Sequence, residues 1–207
     1  IPILDGSAAP FVEAILDAGI EPQGGAVRAI RVLKRVTVEG DQGSATLLPA
    51  DGLTIDFDID FSDRAIGHQS KTLNMANGAF VRELCDSRTF CRQSDVDQMH
   101  AAGLALGGTT RNAVVVDGDR VLSPGGLRHS DEPVRHKMLD ALGDLYLAGG
   151  PILGRYVGHR AGHAMTNRLL RALFSTPGAY EIVECGVATA RRLPGVGVRH
   201  SDLAAVA

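Results

Sequence analysis

Between residues 53 and 61 apolar and polar side chains alternate without a break: Leu53, Ile55, Phe57, Ile59 and Phe61 are separated by Thr54, Asp56, Asp58 and Asp60. A period of two sends the first set to one face of a strand and the second to the other. The segment therefore predicts an antiparallel sheet with one buried face. Residues 27–39 and 44–48 are read as further strands, set off by turns rich in Gly and Asp. Shorter strands are expected at 113–116 and 120–122, on either side of Asp117-Gly118.

Helical signals fall around these strands. Ser7 is a candidate N-cap for a helix over residues 8–18, which Gly19 ends and whose apolar face carries Phe11, Ile15 and Leu16. Short helices are expected at 78–85 and 94–102, flanking Arg88-Thr89-Phe90. A longer helix runs over 131–148 until Gly149-Gly150-Pro151 breaks it, and a last one spans 162–174, before Pro177-Gly178. Beyond Glu181 the chain is rich in Arg, Gly and Ala and is expected to be poorly ordered. No internal repeat is visible.

Composition narrows the class. The chain has 207 residues, 44% hydrophobic and 22% charged, enough for one or two small domains with a real core. A formal net charge of -3 with both signs scattered offers no basic face to nucleic acid. Cys85, Cys91 and Cys185 form no metal-spacing motif and cannot all pair, which suits bystander thiols in a reducing compartment. No apolar run approaches the roughly 18–20 residues that cross a bilayer, and no signal peptide is visible, so a cytoplasmic location is expected.

The helix over 131–148 is where chemistry first shows. It stacks His136, Asp140 and Asp144 on one face, each a turn after the last. An imidazole and a carboxylate at i and i+4 can grip one metal ion from a single rigid element. The bare spacing also describes a solvated ion pair, and on spacing alone both readings stand.

The wider sequence carries a resemblance. Asp131-Glu132-Pro133-Val134-Arg135-His136-Lys137-Met138-Leu139-Asp140-Ala141-Leu142-Gly143-Asp144-Leu145-Tyr146-Leu147 closely resembles a segment of the UDP-3-O-acyl-N-acetylglucosamine deacetylases, zinc amidases of lipid A biosynthesis. Ile1-Pro2-Ile3-Leu4-Asp5-Gly6-Ser7-Ala8-Ala9-Pro10-Phe11, Arg88-Thr89-Phe90, Gly103-Leu104-Ala105-Leu106-Gly107-Gly108, Asn112-Ala113-Val114-Val115-Val116-Asp117 and Gly162-His163-Ala164 resemble further family motifs, in order and at nearly the family spacing. The resemblance covers residues 1 to about 175. It implies an α+β fold of two-layer sheet-and-helix sandwich halves, this chain being mainly the second half of a duplicated β/α fold. Residues 1–22 would end the first α+β domain. Residues 23–180 would form the second, with the zinc helix and an acyl-passage insert, and 181–207 a poorly ordered tail. The chain opens on Ile1, within a motif that the family carries about a third of the way along, so a fragment is expected. In the family an upstream segment supplies a third zinc ligand, a histidine, and a neighbouring glutamate general base.

Roles follow by resemblance. His136 and Asp140 are expected to ligate zinc, with ferrous iron also suited to such ligands. Asp144 is expected to hydrogen-bond His163, the proton donor to the leaving amine. Thr89 would stabilise the tetrahedral oxyanion. Phe90 would pack on the hexosamine, and Phe61 on uracil, although Phe61 also fits the alternating core. Lys137 and Arg160 are expected beside the diphosphate or sugar, while Lys137 also reads as an ordinary helix lysine. Ala105, Gly107, Gly108, Thr109 and Ala113 would line a passage for the acyl chain, or shape a structural turn.

Departures from the family pattern sit at Cys91-Arg92, where glycine and an aromatic are usual, at Pro133 and at His129-Ser130. The implied reaction is deacetylation of UDP-3-O-acyl-N-acetylglucosamine by a monomer whose partner is that substrate alone. The isolated chain is expected to bind zinc weakly and turn over little. Two alternatives are a zinc deacetylase for another N-acetylated amphiphile, motivated by Cys91-Arg92, and a non-catalytic relative acting as a binding module.

Overall fold

The computed structural model describes residues 2–21 and 23–203. In chain order the elements are α1 (Ala9–Ala18), β1 (Arg28–Val32), β2 (Val36–Glu39), β3 (Ser44–Leu48), β4 (Leu53–Asp60), β5 (His68–Asn74), α2 (Ala79–Glu83), β6 (Phe90–Arg92) and α3 (Gln93–Ala101). They continue with β7 (Val114–Asp117), β8 (Arg120–Val121), α4 (Glu132–Leu145), β9 (Ile152–His159), α5 (His163–Ser175), β10 (Tyr180–Glu184) and α6 (Val187–Ala190). Seven strands form one sheet and β6, β7 and β8 a second, with helices against them, so the α+β class expected from the sequence is the class observed.

β4 keeps the alternation of its sequence: Leu53, Ile55, Phe57 and Ile59 are buried and the residues between them are not. Its partner β5 is antiparallel, and on its other edge β9 runs parallel from Leu53↔Gly154 to Asp58↔His159. β9 is the spine of the sheet. Its first residues pair with β1 in parallel, and Arg155–His159 pair antiparallel with β3. The buried residues of β4 and β9 pack under α4 and α5 in one continuous core.

Sequence periodicity missed β9, and close packing explains why. Glycines at 154 and 158 break any apolar pattern, yet a Cβ at Gly154 would come 2.8 Å from Val32, and one at Gly158 would come 2.8 Å from Tyr156 and 2.9 Å from Phe57. β5 was also missed, since its outward residues are polar and its inward Gln69 and Lys71 serve α4 through hydrogen bonds rather than apolar burial.

Two other expectations need correction. The single strand over 27–39 is two strands with different partners, because Leu33 and Lys34 turn away to bond the carbonyls of Ala179 and Pro177. The segment beyond Glu181 is not uniformly irregular: β10 runs through Glu184 in antiparallel pairing with β1, and Leu193 is buried beside Ala29 and Leu153. α1 forms as expected, but the N-cap position falls on Ala8 and no residue of the helix is buried, with Ile15 58% exposed. Among the described residues no helix is long and apolar enough to cross a membrane.

Candidate active site

α4 organises the site. Pro133 sits in its first turn, where the missing amide proton costs nothing. Val134, Met138, Ala141, Leu142 and Leu145 are buried, a helical stripe that points the other side of the helix elsewhere. On that side stand His136, Lys137, Asp140 and Asp144.

His136 Nδ1 lies 3.1 Å from the Ser87 carbonyl, which can only accept, so Nδ1 carries a proton and Nε2 is the nitrogen turned toward the cleft. That nitrogen is 3.3 Å from Asp140 Oδ1, and Lys137 Nζ is 3.2 Å from Asp140 Oδ2. Two metal-type donors thus face one point, with the outer imidazole nitrogen tied to a carbonyl as ligating histidines commonly are. Among the described residues no group of three His, Cys, Asp or Glu side chains is arranged to hold a metal ion. His136 and Asp140 therefore fit as part of a ligand set.

The turn from β9 into α5 brings the second histidine. Arg160 takes a left-handed conformation, φ 47°, and its amide donates to the Asp58 carbonyl. Gly43 makes room for that turn, since a Cβ there would lie 2.6 Å from the His159 carbonyl oxygen. His163 then opens α5. Its Nδ1 donates to both oxygens of Asp144, at 2.9 and 3.0 Å, and its Nε2 points toward Asp140 Oδ2 at 4.0 Å. The ring is 68% exposed, so its place depends on Asp144.

These side chains line one cleft of about 690 Å³, well within the range of small-molecule sites. Thr89, Phe90, Phe61, His136, Lys137, Asp140, Arg160 and His163 all border it, and Asp144 reaches it through His163. Phe90 stands edge-on to Phe61 at 5.4 Å and to His136 at 6.5 Å. Phe61 also packs on the core, as its place in the alternation predicts.

Ala105, Gly108 and Thr109 are not brought to the cleft. They belong to an exposed turn held by Asn112, whose side chain bonds Thr109 N and the Gly107 carbonyl, with Leu104 and Leu106 exposed beside it. Met99, in the preceding helix, borders the cleft instead. Gln42 and Asp95, unforeseen from sequence, also line it, as does Arg92, whose charge was expected near the mouth of the acyl passage. Arg92 holds Asp95 through two bonds of 2.9 Å, which keep the Asp95 carboxyl below its usual range. Burial, helped by the Asp95 charge, pushes the neighbouring Cys91 thiol up.

Known proteins resemble this chain in sequence. A family model described as UDP-3-O-acyl N-acetylglycosamine deacetylase matches residues 1–175. Proteins named UDP-3-O-acyl-N-acetylglucosamine deacetylase from Pasteurella multocida (strain Pm70), Haemophilus influenzae (strain 86-028NP) and Histophilus somni (strain 129Pt) are each 45% identical over 185 residues. The alignments cover 88% of this chain and 61% of each relative, so the chain spans under two thirds of their length. With a family model across most of its residues and identity at this level, the chain belongs to the UDP-3-O-acyl N-acetylglycosamine deacetylase family.

Proposed function

We propose that this chain carries the larger part of the active site of a zinc-dependent amidase of lipid A biosynthesis, which removes the acetyl group of UDP-3-O-acyl-N-acetylglucosamine. The observation that carries the reading is the convergence of His136 Nε2, Asp140, the Asp144-held His163 and Thr89 on one cleft. A zinc ion held by His136 and Asp140 would supply Lewis acidity for an attacking water and for the amide carbonyl. Ferrous iron suits the same donors. The third ligand and the general base belong, on this reading, to the part of the relatives' length outside the alignment.

The chain's own residues account for the remaining steps. The Thr89 side chain is open to the cleft, placed to donate to the oxyanion as the carbonyl becomes tetrahedral. Among the described residues His163 Nε2 takes part in no hydrogen bond, so a protonated ring can pass its proton to the departing amine while Asp144 keeps Nδ1–H in place. Lys137 and Arg160 offer cations to a diphosphate, and Phe61 and Phe90 offer ring faces and edges to sugar and base.

The test is metal content and deacetylation of UDP-3-O-acyl-N-acetylglucosamine by the protein as naturally encoded, beside His136→Ala. Near-stoichiometric zinc and turnover, both lost in the variant, are expected; a folded protein with neither overturns the reading. Residues 1–207 alone are expected to bind zinc weakly and turn over little. One observation favours a second reading, that the substrate is a different N-acetylated amphiphile: the Arg92–Asp95 pair puts charge on the cleft wall. A substrate panel separates the two.

A further inference from the structure

Glu132 is wholly buried and touches no part of the cleft, yet its carboxylate is the most heavily bonded group near the site. It accepts from Arg88 N at 2.9 Å, Arg88 Nε at 2.9 Å, Arg88 Nη2 at 3.0 Å and Arg128 N at 2.7 Å. Arg88 is only 5% exposed, and its Nη2 also donates to the Gly126 carbonyl at 2.7 Å. Buried ion pairs commonly add little or nothing over well-packed apolar side chains of the same volume. Stability is therefore a weak reason for this one.

Its position supplies a better reason. Arg88 lies between Ser87, whose carbonyl accepts from His136 Nδ1, and Thr89, which borders the cleft. Glu132 lies one turn before His136 on the same helix. The carboxylate holds not only the Arg88 guanidinium but the Arg88 amide itself, so it fixes the backbone on which both neighbours depend. A fork held at two oxygens also removes the rotation that a single bond would leave.

We infer that Glu132 and Arg88 are positioning residues, a clamp that sets the Ser87 carbonyl on His136 Nδ1 and Thr89 against the cleft. The role deepens the amidase reading and rests on it for its catalytic consequence, but its geometric consequence stands alone. The loop and the helix keep their register only while the clamp is closed. His136 then presents Nε2 to the cleft with one ring orientation, and the Thr89 hydroxyl stays within reach of a carbonyl placed there.

The experiment compares Glu132→Gln and Arg88→Lys with the parent in the protein as naturally encoded. Circular dichroism and urea unfolding establish that each variant is folded. The first readout is solvent exchange of the His136 Nδ1 proton by NMR, assigned by its loss in His136→Gln. At least tenfold faster exchange is expected in both variants, with the fold retained. The second is steady-state deacetylation: kcat falling about 10–100-fold with KM within about threefold, and a loss that is not additive with that of Thr89→Ala. Unchanged exchange together with a loss additive to Thr89→Ala would overturn the clamp. If Glu132→Gln fails to fold, Arg88→Lys, which keeps the charge and loses the fork, decides by the same measurements. A parent protein with no deacetylase activity would sink the amidase reading while the exchange measurement still judged the clamp.

Discussion

A histidine that is 68% exposed keeps one orientation only if something rigid holds it, and for His163 that is the carboxylate of Asp144 on the neighbouring helix. Asp144→Asn keeps the size but replaces one of the two oxygens that accept from His163 Nδ1 with a donor. We expect kcat to fall about 10–100-fold with KM nearly unchanged, and His163→Gln to cost about 10²–10³-fold; steady-state rates equal to the parent's would remove the pair from the chemistry. The cysteines offer a second check at this scale. Burial, with the Asp86 charge beside it, pushes the Cys85 thiol up to about 11, so at about pH 8 a thiol reagent should leave Cys85 unmodified until the protein unfolds. Labelling of Cys85 in the native state, read by mass spectrometry, would contradict that environment. His136, Asp140 and Asp144 were legible as one face because a helical period fixes which side chains align, whereas His163 was legible only through the family resemblance. Glu132 was not, since an acidic residue in a first turn looks like an ordinary dipole partner until Arg88 is folded onto it.

At the scale of elements, the sequence revealed those that bury a regular stripe and hid those held by backbone approach. α4 and β4 belong to the first kind; β9, with Gly154 and Gly158 under neighbouring side chains, belongs to the second. Gly43 is the same device applied to the site. A methyl there would lie 2.6 Å from the His159 oxygen and 2.9 Å from the Arg160 oxygen, both backbone atoms. Gly43→Ala should therefore destabilise the fold by about 1–3 kcal/mol and displace Arg160, raising KM more than it lowers kcat. A variant with parent stability and KM would show that the turn yields freely. Gly143 is the opposite case: it lies inside α4, exposed, and a methyl carbon added there would meet nothing within 4 Å beyond its own stretch of helix. Gly143→Ala should stabilise the protein by about 0.5–1 kcal/mol, seen as a melting temperature higher by about 1–4 °C. A lower one would mean that another surface lies close against that side of α4.

For the whole molecule, the segments that meet at the cleft are distant in sequence and converge on a small set of buried charges. The start of the chain joins through the Ala8 amide on the Cys85 carbonyl and through Asp5 on Arg128, whose backbone amide reaches Glu132. The loop before β6 joins through Arg88, and α4 supplies Glu132 itself. Such an assembly should register the ionisation of Glu132. Burial alone would raise its carboxyl above the ordinary 4.5, but the hydrogen bonds from Arg88 and Arg128 outweigh it and hold the folded value lower. A group depressed on folding contributes stability that is complete above its unfolded value and vanishes as pH falls through the folded one. At neutral pH Glu132→Gln should cost about 3–5 kcal/mol, because it leaves the buried Arg88 without its counter-charge. Below about pH 4.5 that deficit should shrink as the parent's own carboxylate takes up a proton. Urea unfolding at about pH 7 and again at about pH 3.5 measures both deficits, with Asp5 and Asp131 titrating alike in the two proteins. A deficit of the same size at both pH values would locate the loss in the shape of the side chain and not in its charge.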